Sequence, residues 1–172
     1  MLIYCSCLFI MQSKDIIKLT QALGEKFLMQ KIMLTTIESC TGGLLSAQLT
    51  NTPGSSAWFD RGFITYSNQS KIDCLKVKKI TINKYGAVSQ QTANEMALGG
   101  IKNSQGNLSL SITGIAGPYG GSKLKPIGTI FFGIAKKNNI IFEHQALFDG
   151  NRVDIREKAV LFALNQLLTL TL

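Results

Sequence analysis

The chain predicts an α/β layered fold built on a mixed sheet. Two patterns carry this. Short β-prone runs alternate with helical periodicities along most of the chain. Late in the chain, two β runs, Thr129–Ala135 and Ile140–Phe148, are joined only by Lys136-Lys137-Asn138-Asn139. Strands that alternate with helices pair in parallel, whereas so short a link makes an antiparallel hairpin, so the sheet is mixed. A length of 172 residues fits one domain.

Taken in order, Ile16, Leu19, Leu23 and Phe27 recur at helical spacing, with Ser13 placed to cap the first turn. Met33–Ile37 is a short β-prone run, ended by Glu38-Ser39-Cys40-Thr41-Gly42-Gly43. Leu44–Leu49 reads as helix, and Asn51-Thr52-Pro53-Gly54 as a turn. Trp58–Tyr66 reads as a strand, with Gly62 as a bulge or a point of close approach. Asn68–Leu75 follows as helix. Ser89 caps a further helix carrying Ala93, Met96, Ala97 and Ile101 on one face. Leu108, Leu110 and Ile112 alternate with polar residues, so Asn107–Thr113 is a strand, and a glycine-rich stretch, Gly114–Gly121, ends it. The hairpin comes next. After Asp149-Gly150-Asn151-Arg152, a last helix runs over Val153–Leu168.

Composition narrows the chemistry. His144 is the one histidine, so a zinc site built on several histidines is excluded, and any Ser-His or Cys-His pair would have to use it. Its place between Glu143 and Gln145 in a strand favours a structural role. The cysteines Cys5, Cys7, Cys40 and Cys74 form no CxxC, which fits reduced thiols in the cytoplasm and no metal. Net charge is +8, from 18 Lys and Arg against 10 Asp and Glu. The basic residues are dispersed and meet no nucleic-acid motif, so the charge fits a small anionic ligand better than nucleic acid. Met1–Ile10 is apolar, too short to span a bilayer, and lacks a basic leader, so residues 1–12 read as an extension, disordered or from an over-extended start, with a short membrane anchor as the lesser alternative. Residues 13–172 read as the domain.

Three polar segments each follow a strand: Glu38–Gly43, Tyr66–Lys71 and Thr113–Gly121. In α/β sheets, ligands collect beyond the carboxyl ends of the strands. Ser39, at a strand-to-helix turn with Thr41, Gly42 and Gly43, is a candidate nucleophile beside free helix-start N–H groups, or else a plain cap. Cys40 is a rival, set to point away from whatever Ser39 faces. Lys71 can reach the same rim and act as a base if burial or a nearby cation such as Arg152 lowers its pKa; read alone, it is a surface lysine. Tyr66 can donate to a ligand. The Thr113–Gly121 stretch matches neither a P-loop nor GxGxxG, yet its density of glycine can set N–H groups around an anion. Arg152 can clamp a phosphate or make a surface ion pair.

Seven segments then occur in a telling order: Glu38–Gly43, Pro53-Gly54-Ser55-Ser56, Tyr66-Ser67-Asn68 with Lys71, Gly86-Ala87-Val88-Ser89, Thr113–Pro118, Lys125–Thr129 and Gly150-Asn151-Arg152. Together they resemble the CinA C-terminal-domain family, the nicotinamide-nucleotide amidohydrolases of PncC type, from about Thr35 to the C-terminus. Longer members carry an additional N-terminal domain for which this chain has no room.

The resemblance implies a three-layer α/β/α sandwich with a mixed, mostly parallel sheet. It implies hydrolysis of nicotinamide mononucleotide to nicotinate mononucleotide and ammonia, without cofactor or metal. Ser39 would be the nucleophile and Lys71 its base, with Tyr66 and Thr113 orienting substrate and catalytic groups. Thr41, Gly42, Gly43, Gly114 and Arg152 would bind substrate, Arg152 near its phosphate. Asn151 departs from the family's usual Asp and removes a negative charge there. A homodimer or higher homo-oligomer fits so small an enzyme. The competing reading is a non-catalytic nucleotide-binding or protein-interaction module of the same fold.

Overall fold

A computed structural model describes residues 3–137 and 139–170, with side chains from residue 15 onward. Five strands form one sheet in the order β2-β1-β3-β4-β5: β1 (Leu34–Glu38), β2 (Phe59–Ile64), β3 (Leu108–Gly114), β4 (Thr129–Lys136) and β5 (Asn139–Leu147). β1 pairs in parallel with β2 and β3; β3–β4 and β4–β5 are antiparallel. Four of the five strands therefore run the same way, through two parallel and two antiparallel ladders, so the sheet is mixed, as the sequence predicts.

Helices cover both faces, giving the three-layer α/β/α sandwich. One face carries α1 (Ile3–Met29), α2 (Leu44–Thr50) and α6 (Arg152–Thr169). Its core joins Leu23, Phe27, Leu45 and Leu164 to the inward residues of the central strands, Leu108, Leu110, Ile112 and Phe132. The other face carries α3 (Asn68–Leu75), α4 (Lys79–Tyr85) and α5 (Gln90–Lys102). A smaller core there holds Ile37, Leu75, Val77, Ile82 and Met96. α5 lies close over β3 because β3 presents hydroxyls there: Ser109 and Ser111 donate to the carbonyls of Ala97 and Ala93. These bonds satisfy buried helix carbonyls that would otherwise face apolar side chains.

Several boundaries differ from expectation. α1 already includes Ser13, so Ser13 does not cap it; the side chains of the predicted 1–12 extension lie outside the described residues. α4 is not predicted. Its N–H and side-chain contacts come from elsewhere in the chain: Glu95 on α5 accepts from the Lys78 backbone N–H and the Thr81 hydroxyl. β2 ends at Ile64, which leaves Thr65 and Tyr66 in the rim. Gly62 is a point of close approach, since a Cβ there would collide with the Ser46 hydroxyl of α2. No helix among the described residues is long and apolar enough to cross a membrane.

Sheet register sets the site. Glu38, Ile64 and Ile112 lie abreast on β1, β2 and β3. The next row is Ser39, Thr65 and Thr113. Ser39 N–H donates to Ile112 O at 2.9 Å and Thr65 N–H to Glu38 O at 2.8 Å. Three chain segments thus leave the sheet side by side at one edge.

Candidate active site

The turn after β1 carries Ser39. Gly42 and Gly43 occupy the left-handed region, with φ 61° and 95°, which an L side chain adopts only with strain. The Gly42 N–H donates to Ser39 O at 3.2 Å and closes the turn. Glu38 fixes it from below. Its fully buried carboxylate accepts from the N–H groups of Gly43, Leu45 and Ser46 and from the Ser46 hydroxyl. Among the described residues, the N–H groups of Cys40 and Thr41 donate to no other residue.

Alternation along β1 sends Glu38 toward α2 and Ser39 toward the opposite face, where α3 delivers Lys71. Ser67 caps α3 by accepting from Ser70 N–H at 3.0 Å, which places Lys71 in the first turn. Its ammonium nitrogen lies 2.9 Å from Ser39 Oγ, 2.6 Å from Thr65 O and 3.4 Å from Tyr66 O. Lys71 is 1 % exposed, and no carboxylate pairs with it among the described residues. Burial lowers its pKa from 10.5 to about 8. The positive end of the α3 dipole acts in the same direction. Arg152, the alternative cause that the sequence suggests, spends its guanidinium elsewhere.

That arrangement matches a neutral amine. Such an amine has two N–H donors and one lone pair. The two carbonyls take the donors, and the lone pair is left for the Ser39 hydroxyl proton. The pair can therefore activate a serine at mildly alkaline pH without histidine.

Cys40 turns into the opposite core, where burial pushes its thiol up to about 12; the thiolate needed for nucleophilic attack is suppressed. His144 stacks on Phe162 at 4.8 Å beside β5, away from this rim.

The other candidates divide. Tyr66 is 61 % exposed at the rim, and its hydroxyl accepts from Arg152 Nη2 at 2.9 Å. Arg152 Nη1 donates to Gly117 O at 2.6 Å, so this side chain bridges the segments that follow β2 and β3. Thr113 is brought to the rim but not to Ser39: its hydroxyl donates to Ala87 O at 2.9 Å. Lys125 also donates to this loop, at the carbonyls of Tyr85 and Val88. Gly114 is glycine because β4 passes close by; a Cβ would lie 2.6 Å from Thr129 O. The Gly43 N–H is already held by Glu38. The Thr41 and Thr65 hydroxyls are buried without a partner among the described residues. Asn151 proves to be the N-cap of α6, accepting from the N–H groups of Val153 and Asp154, while Asp154 accepts from Asn151 N–H. Asn and Asp cap about equally well, so the departure keeps this helix start.

Three residues of the site escape sequence reasoning: Glu38, Thr65 and Arg156. Arg156 donates to Thr41 O at 2.6 Å from the first turns of α6. Among the described residues, no three His, Cys, Asp or Glu side chains group so as to hold a metal ion.

Comparison with known proteins bears on this geometry. Residues 16–171 match the model of the CinA C-terminal domain. A protein of Enterobacter agglomerans named nicotinamide-nucleotide amidohydrolase PncC is 43% identical over 154 residues, which cover 90% of this chain and 94% of that protein. A putative competence-damage inducible protein of Caldicellulosiruptor bescii is 49% identical over 137 residues, covering 79% of this chain but 33% of the longer relative. Among solved structures, the competence/damage inducible protein CihA of Agrobacterium tumefaciens superposes with a TM-score of 0.85 at 42% identity, covering 90% of this chain and 94% of the other.

Proposed function

The chain belongs to the CinA C-terminal domain family, and from that membership and its site we propose that it hydrolyses the carboxamide of nicotinamide mononucleotide, releasing ammonia and nicotinate mononucleotide. The observation that carries the mechanism is the buried Lys71 nitrogen 2.9 Å from Ser39 Oγ, with its pKa lowered to about 8. The activity agrees with the name of the Enterobacter agglomerans relative, which aligns over nearly all of both chains.

Neutral Lys71 takes the Ser39 proton as Oγ attacks the amide carbon. The oxygen that becomes anionic is received by the free N–H groups of Cys40 and Thr41. The C–N bond then breaks, and Lys71 returns the proton to the leaving nitrogen as ammonia forms. Water, deprotonated by Lys71, releases the acid and restores Ser39. Tyr66 and Arg152 form the exposed wall against which the nucleotide lies, with Arg152 facing its phosphate. Thr113 acts by holding the 86–89 loop against the rim. Thr41, Gly42, Gly43 and Gly114 contribute backbone, through close approach and turn geometry.

Residues 13–172 are the catalytic unit in this reading, acting in the cytoplasm on a small nucleotide as a homo-oligomer, without nucleic acid. The decisive experiment is ammonia release from nicotinamide mononucleotide. Wild type turns over, and Ser39→Ala falls by about 10⁴-fold or more with its Tm retained. Full activity in Ser39→Ala would overturn the mechanism, and no turnover by wild type would overturn the substrate.

A further inference from the structure

Arg156 lies one helical turn beyond Arg152 on α6, on the same side of the helix. It resembles neither an exposed arginine nor a structural buried one. Its Nη2 donates to Thr41 O at 2.6 Å, and its buried Nε has no partner among the described residues. No carboxylate pairs with it among the described residues. The side chain is half-buried, and leaving its buried Nε donor unspent costs stability, so stability alone does not explain its place.

What it touches does. Thr41 O belongs to the peptide whose N–H, on Gly42, closes the turn on Ser39 O. A cation on that carbonyl polarises the peptide and strengthens the donation. The same turn holds the unpartnered N–H groups of Cys40 and Thr41. Glu38 pins the turn at Gly43, Leu45 and Ser46; Arg156 pins it at Thr41, between that anchor and the nucleophile.

We propose that Arg156 is a positioning residue: it fixes the Ser39–Gly43 turn through the Thr41 carbonyl and favours negative charge at the Cys40 and Thr41 N–H groups. It touches neither substrate nor Lys71. The inference rests on the Ser39 reading of the site, and its test separates the two.

Two rates are compared in wild type, Arg156→Met and Arg156→Lys. One is steady-state ammonia release from nicotinamide mononucleotide. The other is labelling of Ser39 by an alkyl fluorophosphonate, in which the Oγ–P bond forms, fluoride leaves and the serine proton passes to Lys71. Arg156→Met lowers kcat and the labelling rate by about 10- to 100-fold. KM stays within about threefold and the pH midpoint of kcat stays at the wild-type value. Arg156→Lys, which keeps a charge and a donor for one carbonyl, recovers most of both rates. If the Met variant fails to fold, Arg156→Gln, which keeps a donor and loses the charge, carries the same expectation.

Unchanged rates in a folded Met or Gln variant overturn the proposal. So does a raised KM at constant kcat, which would make Arg156 a substrate anchor, and so does a displaced pH midpoint, which would make it act through Lys71. A Lys variant as slow as the Met variant overturns it too. A wild type that labels but leaves the nucleotide intact sinks the substrate reading and leaves the Arg156 comparison on labelling alone. A wild type that does neither overturns both.

Discussion

Glu38 and Lys71 are both ionisable and both buried, and each brings its charged group to the first turn of a helix near the end of β1, yet their surroundings are opposite. Glu38 places an anion at the start of α2, where the dipole favours it, and four donors converge on its carboxylate. Lys71 places a cation at the start of α3, where the dipole opposes it, and finds only carbonyls and a hydroxyl. A buried charge that is fully satisfied is an anchor. One left unsatisfied adopts its neutral form near working pH, which is what a base requires. One face of the sheet end holds the turn still, and in the proposed mechanism the other moves a proton.

Replacing Lys71 breaks this contrast most severely. Lys71→Met lowers ammonia release by about 10²- to 10⁴-fold, the usual contribution of a positioned base. It also raises stability at pH 7 by about 1–3 kcal/mol, because the native lysine is held at about 8 against an ordinary 10.5. Between those values the unfolded chain binds more protons than the native one. The burial penalty is therefore fully present below about 8 and fades as pH rises toward 10.5. In wild type, kcat/KM rises about tenfold per pH unit up to about 8 and then levels as the amine becomes neutral. A Met variant that loses both activity and stability would show Lys71 to be an anchor like Glu38.

Glu38 should behave in reverse. Glu38→Gln keeps the shape but turns one acceptor into a donor aimed at N–H groups, so it destabilises by about 2–4 kcal/mol. Thermal unfolding measures this, and Tm falls by several degrees or more. The pH midpoint of kcat/KM stays near that of wild type because Lys71 lies on the other face. A Glu38→Gln variant as stable as wild type would remove the anchor from the comparison.

The uneven legibility of these residues has a physical basis. The β3 alternation of Leu108, Leu110 and Ile112, the hairpin and the Ser89 cap are local patterns, and each is readable from neighbours in sequence. α4 is not, because Lys79–Tyr85 mixes β-branched and basic residues and its support comes from Glu95 on another helix. Ser39 and Lys71 are legible as residue types in motifs. Their coupling also needs the Thr65 carbonyl, and a backbone atom leaves no trace in residue identity. Arg156 reads as an ordinary helix arginine; the signal available was its spacing of four from Arg152. Thr113 looks like a site residue in sequence, yet it spends its hydroxyl bracing the 86–89 loop, which Lys125 braces as well.

The smallest effect belongs to the rim, and it tests whether the contrast between anchor and base is confined to the buried row. Tyr66→Phe removes the hydroxyl that accepts from Arg152 Nη2 while leaving Arg152 its bond to Gly117 O. Tyr66 is 61 % exposed, so water replaces the lost partner and stability changes by less than about 1 kcal/mol. The Tyr66 carbonyl, which faces Lys71, is unaffected by the substitution. On the proposal that the nucleotide lies against this rim, the substitution lowers kcat/KM only about two- to tenfold, mainly through KM, with the pH midpoint unmoved. Steady-state ammonia release across pH measures all three quantities. A loss in kcat as large as that of Lys71→Met would mean that the tyrosine hydroxyl takes part in proton transfer, and the base could no longer be assigned to the buried amine alone.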